Sequence, residues 1–201
     1  MKYRFLLATI VCAIINAGPA WAHDNDRGRY NGWKNISRED REQIELADKR
    51  IRRGFEISPV PLNLRGKNYA QVGLGSYLVN AVGACNDCHT NAPHVKGGDP
   101  FLGEAPIINA EHYLAGGNKF GPFTSRNLTP NAKGLPAGLT LGQFKHAMRH
   151  GKDYEKQHPE ISPLLQVMPW PAYNGMLDTD LEAMYEFLRA IPHAEPGVVN
   201  N

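Results

Sequence analysis

The sequence predicts an all-α fold with long loops. Four segments repeat apolar residues at the spacing of a helix. No stretch alternates apolar and polar residues convincingly, as a half-buried strand does. Between Asn91 and Pro136 a glycine or proline recurs every few residues. A loop of that length is unusual inside a compact domain, and it indicates a segment that wraps around a rigid ligand.

The predicted helices have recognisable ends. They cover about residues 37–54, 67–82, 139–150 and 178–190. Ser37 is a good N-cap for the first, and Gly54 is its expected stop. Gly151 should end the third, while Thr179 and Glu182 have the spacing of a capping box at the start of the fourth.

Two glycines inside the second predicted helix allow two interpretations. Gly73 and Gly75 either mark a loosely formed helix start or leave room for another helix to cross closely. The sequence does not choose between them.

The first 22 residues have the pattern of an export signal. Lys2 and Arg4 precede a mostly apolar run, Phe5–Ile15, and residues 20–22 read Ala-Trp-Ala, a small-x-small cleavage pattern. The run is too short to span a bilayer as a helix. We therefore expect a mature chain that begins at His23 and is soluble in the periplasm.

Charge and cysteine content narrow the function classes. The signal holds two basic residues and no acidic one, so 20 Lys and Arg face 20 Asp and Glu in the remainder. A neutral chain has no bulk attraction to nucleic acid or to an anionic membrane. Of three cysteines, Cys12 leaves with the signal, and Cys85 and Cys88 remain. So close a pair provides no long-range disulfide framework.

Cys85 and Cys88 are followed directly by His89, in the spacing C-x-x-C-H that is the signature of covalent c-type haem attachment. Each thiol can add to one vinyl group, and the adjacent histidine then ligates the iron. Zinc is less suited, because no second cysteine pair completes a tetrahedral site. A thioredoxin-like pair needs a strand-helix context, and a structural disulfide would close a very small loop.

Three further stretches carry a family resemblance. GSYLVNAVGACNDCHT at residues 75–90 resembles the attachment region of bacterial class I cytochromes c. RNLTP at 126–130 resembles a loop of periplasmic cytochromes and dehydrogenase cytochrome subunits, although Asn131 stands where family members often have Asp. MPWPAY at 168–173, followed by the segment 178–188, resembles their methionine-ligand loop and final helix.

The resemblance covers about residues 66–192 and implies a single cytochrome c-like domain around one covalent haem c. The predicted organisation is a signal at 1–22, an N-terminal extension at 23–65 with one charged helix and an extended strap, the cytochrome domain at 66–192 and a tail at 193–201. It implies an electron carrier, or an electron-transfer subunit, with no substrate chemistry of its own. The expected electron donor is a periplasmic dehydrogenase or a quinol-side complex. The expected acceptor is another electron carrier or an oxidase.

The second axial ligand is predicted to be Met168. Pro169 follows it and Pro171 follows Trp170, which biases both preceding residues toward extended backbone in a stiff loop. A stiff loop suits a weak thioether ligand, because less conformational entropy is lost on binding. The resemblance also selects Met168, while Met176 and a histidine remain alternatives.

Three other residues are weaker candidates for the sixth ligand. Met148 and Met184 lie on helices and are expected in the core. His112, in the wrapping loop, is the histidine most suited to compete for the iron.

Several side chains are candidate hydrogen-bond donors to the haem propionates, with ordinary wall packing as the alternative. They are Tyr113, Arg126, Asn127, Trp170 and Tyr173. The backbone carbonyl of Pro122 or Pro130 is the expected partner of the His89 ring N–H.

Charge is unevenly distributed along the sequence. From His112 to Lys152 there are six basic residues and no acidic one, while the last helix carries four acidic residues. This pattern predicts either two solvated faces or a dipole that steers docking to an acidic partner.

The sequence is also compatible with two other function classes. One is a haem enzyme or gas-binding sensor with an open sixth position, and the other is a zinc-stabilised adaptor. A haem enzyme or sensor would bind carbon monoxide when reduced, whereas an electron carrier with a filled sixth position would resist it. A zinc adaptor would be colourless.

Overall fold

The computed structural model describes residues 37–197. The predicted export signal and the expected mature start at His23 lie outside the described residues. The chain divides into two units, residues 1–42 and 43–201.

Helices dominate the described residues. In chain order the α-helices are α1 (Arg38–Ile57), α2 (Tyr69–Tyr77), α3 (Cys85–His89), α4 (Leu141–His150), α5 (Trp170–Tyr173) and α6 (Asp178–Leu188). A π-helical segment, Leu78–Val82, continues α2, and a 3-10 turn covers Pro100–Leu102. The strands β1 (Lys119–Phe120) and β2 (Phe123–Thr124) form one short antiparallel hairpin, with Lys119 opposite Thr124. The predicted all-α fold is confirmed in part: the chain is helix-rich, but the β1–β2 hairpin was not predicted.

Helix ends agree with the sequence in some places and differ in others. Gly151 ends α4 at a φ of 66°, as predicted. The helix α1 runs past Gly54 to Ile57, so the predicted stop is wrong. The capping box predicted at Thr179 is also wrong, because Leu177 is the N-cap of α6 and no side chain caps it.

Three glycines let helices cross at backbone contact. A Cβ at Gly54 would lie 1.8 Å from the carbonyl oxygen of Gly73, where α1 meets α2. A Cβ at Gly75 would lie 1.9 Å from the carbonyl oxygen of Ala183 on α6. Close crossing, one of the two interpretations of Gly73 and Gly75, is therefore the one observed.

The core lies where α2 and its π-helical continuation pack against α6. Its fully buried side chains include Val72, Val79, Leu181 and Phe187. The buried Ser76 hydroxyl donates a 2.6 Å hydrogen bond to the carbonyl oxygen of Gly54, which satisfies a polar group inside the apolar contact. This packing fixes the base from which the C-x-x-C-H segment emerges.

Ion pairs join α4 to α6. Lys145 Nζ lies 2.5 Å from Asp178 and 3.0 Å from Glu182, and Arg149 lies 2.5 Å from Asp178. Arg149 also donates hydrogen bonds to the carbonyl oxygens of Asn174 and Met176. The basic stretch and the acidic helix thus contact each other, so the predicted separation of their charges into two faces is wrong at these residues.

Replacing Asp178 with Asn should lower stability at neutral pH and matter less in acid. Hydrogen bonds from Lys145, and then from Arg149, hold the pKa of Asp178 below its ordinary value. A lowered folded-state pKa contributes stability above the ordinary carboxyl pKa, and that contribution is lost as pH falls through the lowered value. Thermal unfolding of the wild type and the Asp178→Asn variant, measured from pH 7 to about pH 3, should show their stabilities converging as the pH falls.

Asp180 in the same first turn provides the matched control. It makes no ion pair with any residue between 37 and 197. Asp180→Asn should therefore leave the pH profile of stability close to that of the wild type. An Asp178→Asn loss of equal size at both ends of the pH range would contradict this account.

Candidate functional site

A largely apolar cavity of about 360 Å³ lies between the motif helix α3, the helices α4 and α6, and the loops that follow. This volume is within the range of cofactor and ligand pockets, about 300–1,000 Å³. The predicted site residues that line it are Cys85, Cys88, His89, Arg126, Met168 and Tyr173. The structure therefore brings residues from three distant segments to one cavity.

The attachment motif occupies a separate one-turn helix. The π-helical segment ends at Gly83, and Ala84 then adopts a left-handed backbone with a φ of 48°. This break redirects the chain before α3, whose Cys85, Cys88 and His89 all line the cavity. No disulfide joins the two cysteines. Two thiols and an imidazole are the donor set that a covalent haem requires.

His89 is held by backbone contacts on both sides. Its Nδ1 lies 2.8 Å from the carbonyl oxygen of Arg126, and its own carbonyl accepts a 2.6 Å hydrogen bond from Gly116 N–H. A ring that donates from Nδ1 presents Nε2 as the free ligand nitrogen. The predicted partners Pro122 and Pro130 are wrong, because their carbonyls bond to His158 and His193 instead.

Gly116 makes this arrangement possible. It has a φ of 77°, and a Cβ there would lie 2.5 Å from the carbonyl carbon of Arg126. Asn118, two residues on, donates hydrogen bonds to the carbonyl oxygens of Cys88 and Thr90. Sequence reasoning missed both residues; the Gly116-Gly117 pair was the available signal of a tight approach.

Burial favours the neutral form of all three side chains of the motif. Burial lowers the pKa of His89, so the imidazole stays neutral and able to ligate. Burial raises the pKa of the Cys85 thiol to about 12, and it also raises the pKa of Cys88, with Asp87 adding to the shift. Disulfide exchange uses a thiol whose pKa is lowered, so the thioredoxin-like interpretation is disfavoured.

The zinc interpretation also lacks geometric support. Between residues 37 and 197, no group of three or more His, Cys, Asp or Glu side chains is arranged to hold a metal ion. A structural zinc site needs four such ligands.

Met168 lies on a loop fastened to the end of α4. Leu165 N–H donates a 2.6 Å hydrogen bond to the carbonyl oxygen of Gly151. The Trp170 indole donates to the carbonyl oxygen of Leu165, and a Cβ at Gly151 would lie 2.4 Å from that indole. Trp170 begins the helix α5, so its predicted extended conformation is wrong; Pro171 is tolerated because it falls in the first turn.

The rival ligands differ in position. Met148 and Met184 are buried core residues, as predicted, and they line the cavity from α4 and α6. Met176 and His112 do not line it. The His112 Nδ1 is 2.8 Å from the carbonyl oxygen of Glu195, which ties its ring to the C-terminal segment.

The predicted haem contacts separate into two groups. Tyr173 lines the cavity, and its hydroxyl donates a 3.2 Å hydrogen bond to the carbonyl oxygen of Gly83, beside the motif. Trp170, Asn127 and Tyr113 do not line it. Asn127 donates to the carbonyl oxygen of Ala194, and Tyr113 donates to Asn80. The structure does not bring Asn127, Trp170 or Tyr113 to the cavity lining, and their haem contacts stay predictions.

Arg126 supplies a charged section of the cavity wall. Its guanidinium pairs with Asp153 and lies 3.3 Å from Glu155. Asp153 is 6% exposed, and its carboxylate also accepts hydrogen bonds from three backbone N–H groups, those of residues 155–157. Sequence reasoning missed Asp153, because nothing in the local sequence marks a partner 27 residues from Arg126.

Comparison with known proteins shows which proteins the chain is similar to. The gluconate 2-dehydrogenase cytochrome c subunit of Pantoea cypripedii is 32% identical over 120 residues, which are 60% of this chain and 23% of that protein. The fructose dehydrogenase cytochrome subunit of Gluconobacter japonicus is 31% identical over 121 residues, 58% of this chain and 20% of that protein. The chain is thus similar to bacterial cytochrome c subunits, and the resemblance predicted from its motifs is confirmed.

The similarity extends to subunits named for other dehydrogenases. The cytochrome c subunit of the quinone-dependent alcohol dehydrogenase of Gluconacetobacter polyoxogenes is 30% identical over 129 residues, 63% of this chain and 24% of that protein. The chain spans about a fifth to a quarter of the length of these relatives. Dehydrogenase-associated cytochrome c subunits are therefore the group that it resembles.

No family model and no solved structure gives a match to the chain. Within residues 37–197, no helix combines the length and apolar character needed to cross a membrane.

Proposed function

We propose that this chain is a cytochrome c-like electron-transfer protein that holds one haem c in the cavity beside α3. Cys85 and Cys88 attach it covalently, and His89 and Met168 are its axial ligands. The observation that carries the proposal is the convergence of both thiols, the buried imidazole and the distant Met168 on one apolar cavity. When bound, the haem would supply an iron that cycles between ferrous and ferric states.

The protein residues around the cavity favour fast electron transfer. The carbonyl of Arg126 orients the His89 ring, and the Gly151–Leu165 contact restrains the Met168 loop. Ligands held in place before and after oxidation reorganise little. The apolar lining excludes water and, together with methionine ligation, favours the reduced, less charged state.

The domain organisation predicted from sequence forms part of the proposal. Residues 66–192 make up the cytochrome domain, with an extension at 23–65, a tail at 193–201 and a cleaved signal at 1–22. This places the mature protein in the periplasm. The relatives are named as cytochrome subunits of dehydrogenases, so the proposed donor is a periplasmic dehydrogenase. The acceptor is another cytochrome or an oxidase, and the chain itself is not catalytic.

Spectroscopy and redox titration of the purified protein test this function. The chain should be produced in a bacterial host with a haem-attachment system and titrated with a reductant under nitrogen. We expect a coloured protein that takes up one electron per chain reversibly. Its reduced form should resist carbon monoxide, since Met168 fills the sixth position.

Two results would contradict the proposal in different ways. Stoichiometric carbon monoxide binding by the reduced wild type would favour a haem enzyme or gas sensor. A colourless protein containing zinc would favour the adaptor.

A further inference from the structure

Two histidines differ from all the others between residues 37 and 197. His89, His94, His112, His158 and His193 each make a hydrogen bond or lie within ion-pair distance of a carboxylate. His146 and His150 make no hydrogen bond or ion pair with any described residue, and their rings contact aromatic neighbours instead. Their ring nitrogens are therefore available to an external ligand.

His146 and His150 are one turn apart on α4. Their ring centroids are 4.8 Å apart with an interplanar angle of 80°, and both residues are exposed. Residues four apart lie on the same helix face, so two imidazoles at this spacing can reach one ion. The buried residues Phe144, Ala147 and Met148 occupy the opposite side of α4 and line the cavity.

Positive charge beside the pair is neutralised. Lys145 and Arg149 flank the two histidines in sequence, and both are ion-paired with α6 through Asp178, with Glu182 as a second partner of Lys145. The Tyr154 ring packs edge-on at 6.4 Å from His146 and also lines the cavity. A cation at this face therefore meets two imidazole rings whose basic neighbours are already ion-paired.

We propose that His146 and His150 form a surface site for a divalent transition-metal ion of the Zn²⁺ or Cu²⁺ type. Imidazole nitrogen suits these borderline ions, whereas Ca²⁺ and Mg²⁺ require oxygen ligands. Two protein ligands leave the remaining positions to water or to a side chain of a partner protein. Neither His146 nor His150 lines the cavity, and among the described residues only Tyr154 both contacts the pair and lines it.

Calorimetric titration of the tag-free mature protein with Zn²⁺ tests the proposal. We expect one ion per chain. Loss of even a residue behind a metal ligand costs about 10–100-fold in affinity, so His146→Ala and His150→Ala should each weaken binding by at least about tenfold. His112→Ala, which alters a histidine remote in sequence, should leave the affinity unchanged. All variants retain His23, so any binding at that residue appears equally in each.

A rescue variant tests whether two histidines four residues apart on α4 are sufficient for Zn²⁺ binding. Gly142 is exposed on α4, and a Cβ there has no neighbour within 4 Å. The double variant Gly142→His, His150→Ala recreates the four-residue spacing with His146, so it should recover Zn²⁺ binding. Three results overturn the proposal: no binding by the wild type, unchanged affinity in the single variants, or a folded double variant that fails to recover.

Discussion

Replacing Gly75 with Ala should destabilise the protein by about 3 kcal/mol, the upper part of the range for overpacked cores. The new Cβ would lie 1.9 Å from the carbonyl oxygen of Ala183 and 2.8 Å from the Cβ of Phe187. Neither atom is the end of a flexible side chain, so α2 and α6 must move apart. The better helix propensity of alanine returns at most about 1 kcal/mol.

Gly142→Ala is the matched control for this variant. Gly142 is also helical, but its new Cβ has no neighbour within 4 Å. Here the propensity gain is unopposed, and stability should rise by up to about 1 kcal/mol. Urea unfolding of the two variants should therefore give changes of opposite sign. A Gly75→Ala protein as stable as the wild type would show that the two helices do not cross at this residue.

Replacing Met168 with Ala should leave the haem covalently attached while changing its ligation. Axial ligands set haem potentials over about 0.8 V, and methionine raises the potential. We expect the midpoint potential to fall by on the order of 100 mV, and the reduced variant to bind carbon monoxide. Potentiometric titration and absorption spectra with and without carbon monoxide measure the two effects.

Met176→Ala is the control for Met168→Ala. Met176 is also partly buried and packs against the same core, but it does not line the cavity. Its removal should leave both the potential and the carbon monoxide response unchanged. The reverse pattern, with the Met176 variant altered and the Met168 variant normal, would assign the sixth ligand to Met176.

Helices were predictable because their signals are local. The apolar repeats of α2, α4 and α6 and the stop at Gly151 lie within single segments. The crossings at Gly73 and Gly75 were not decidable, because a glycine in a helix looks the same whether or not a partner approaches. The predicted end of α1 at Gly54 was wrong because the sequence does not show that another helix approaches this glycine. Gly54 continues the helix because its missing side chain admits the backbone of Gly73.

The site residues that are adjacent in sequence could be predicted, and those that the loops bring together could not. Cys85, Cys88 and His89 are adjacent in sequence, so their spacing alone indicates haem. The carbonyl that orients His89 belongs to Arg126 and depends on the turn at Gly116, which no sequence spacing reveals. Long-range ion pairs, such as Arg126 with Asp153, depend likewise on the folded path of the loops.

Intact-mass spectrometry of the mature protein from a haem-attaching host tests the central claim most directly. A thiol adds across a vinyl group without releasing any atom, so covalent attachment predicts the mass of the processed polypeptide plus one haem. Under denaturing conditions neither Cys85 nor Cys88 should then react with an alkylating reagent. A mass equal to the bare polypeptide, with both thiols alkylated, would contradict the account.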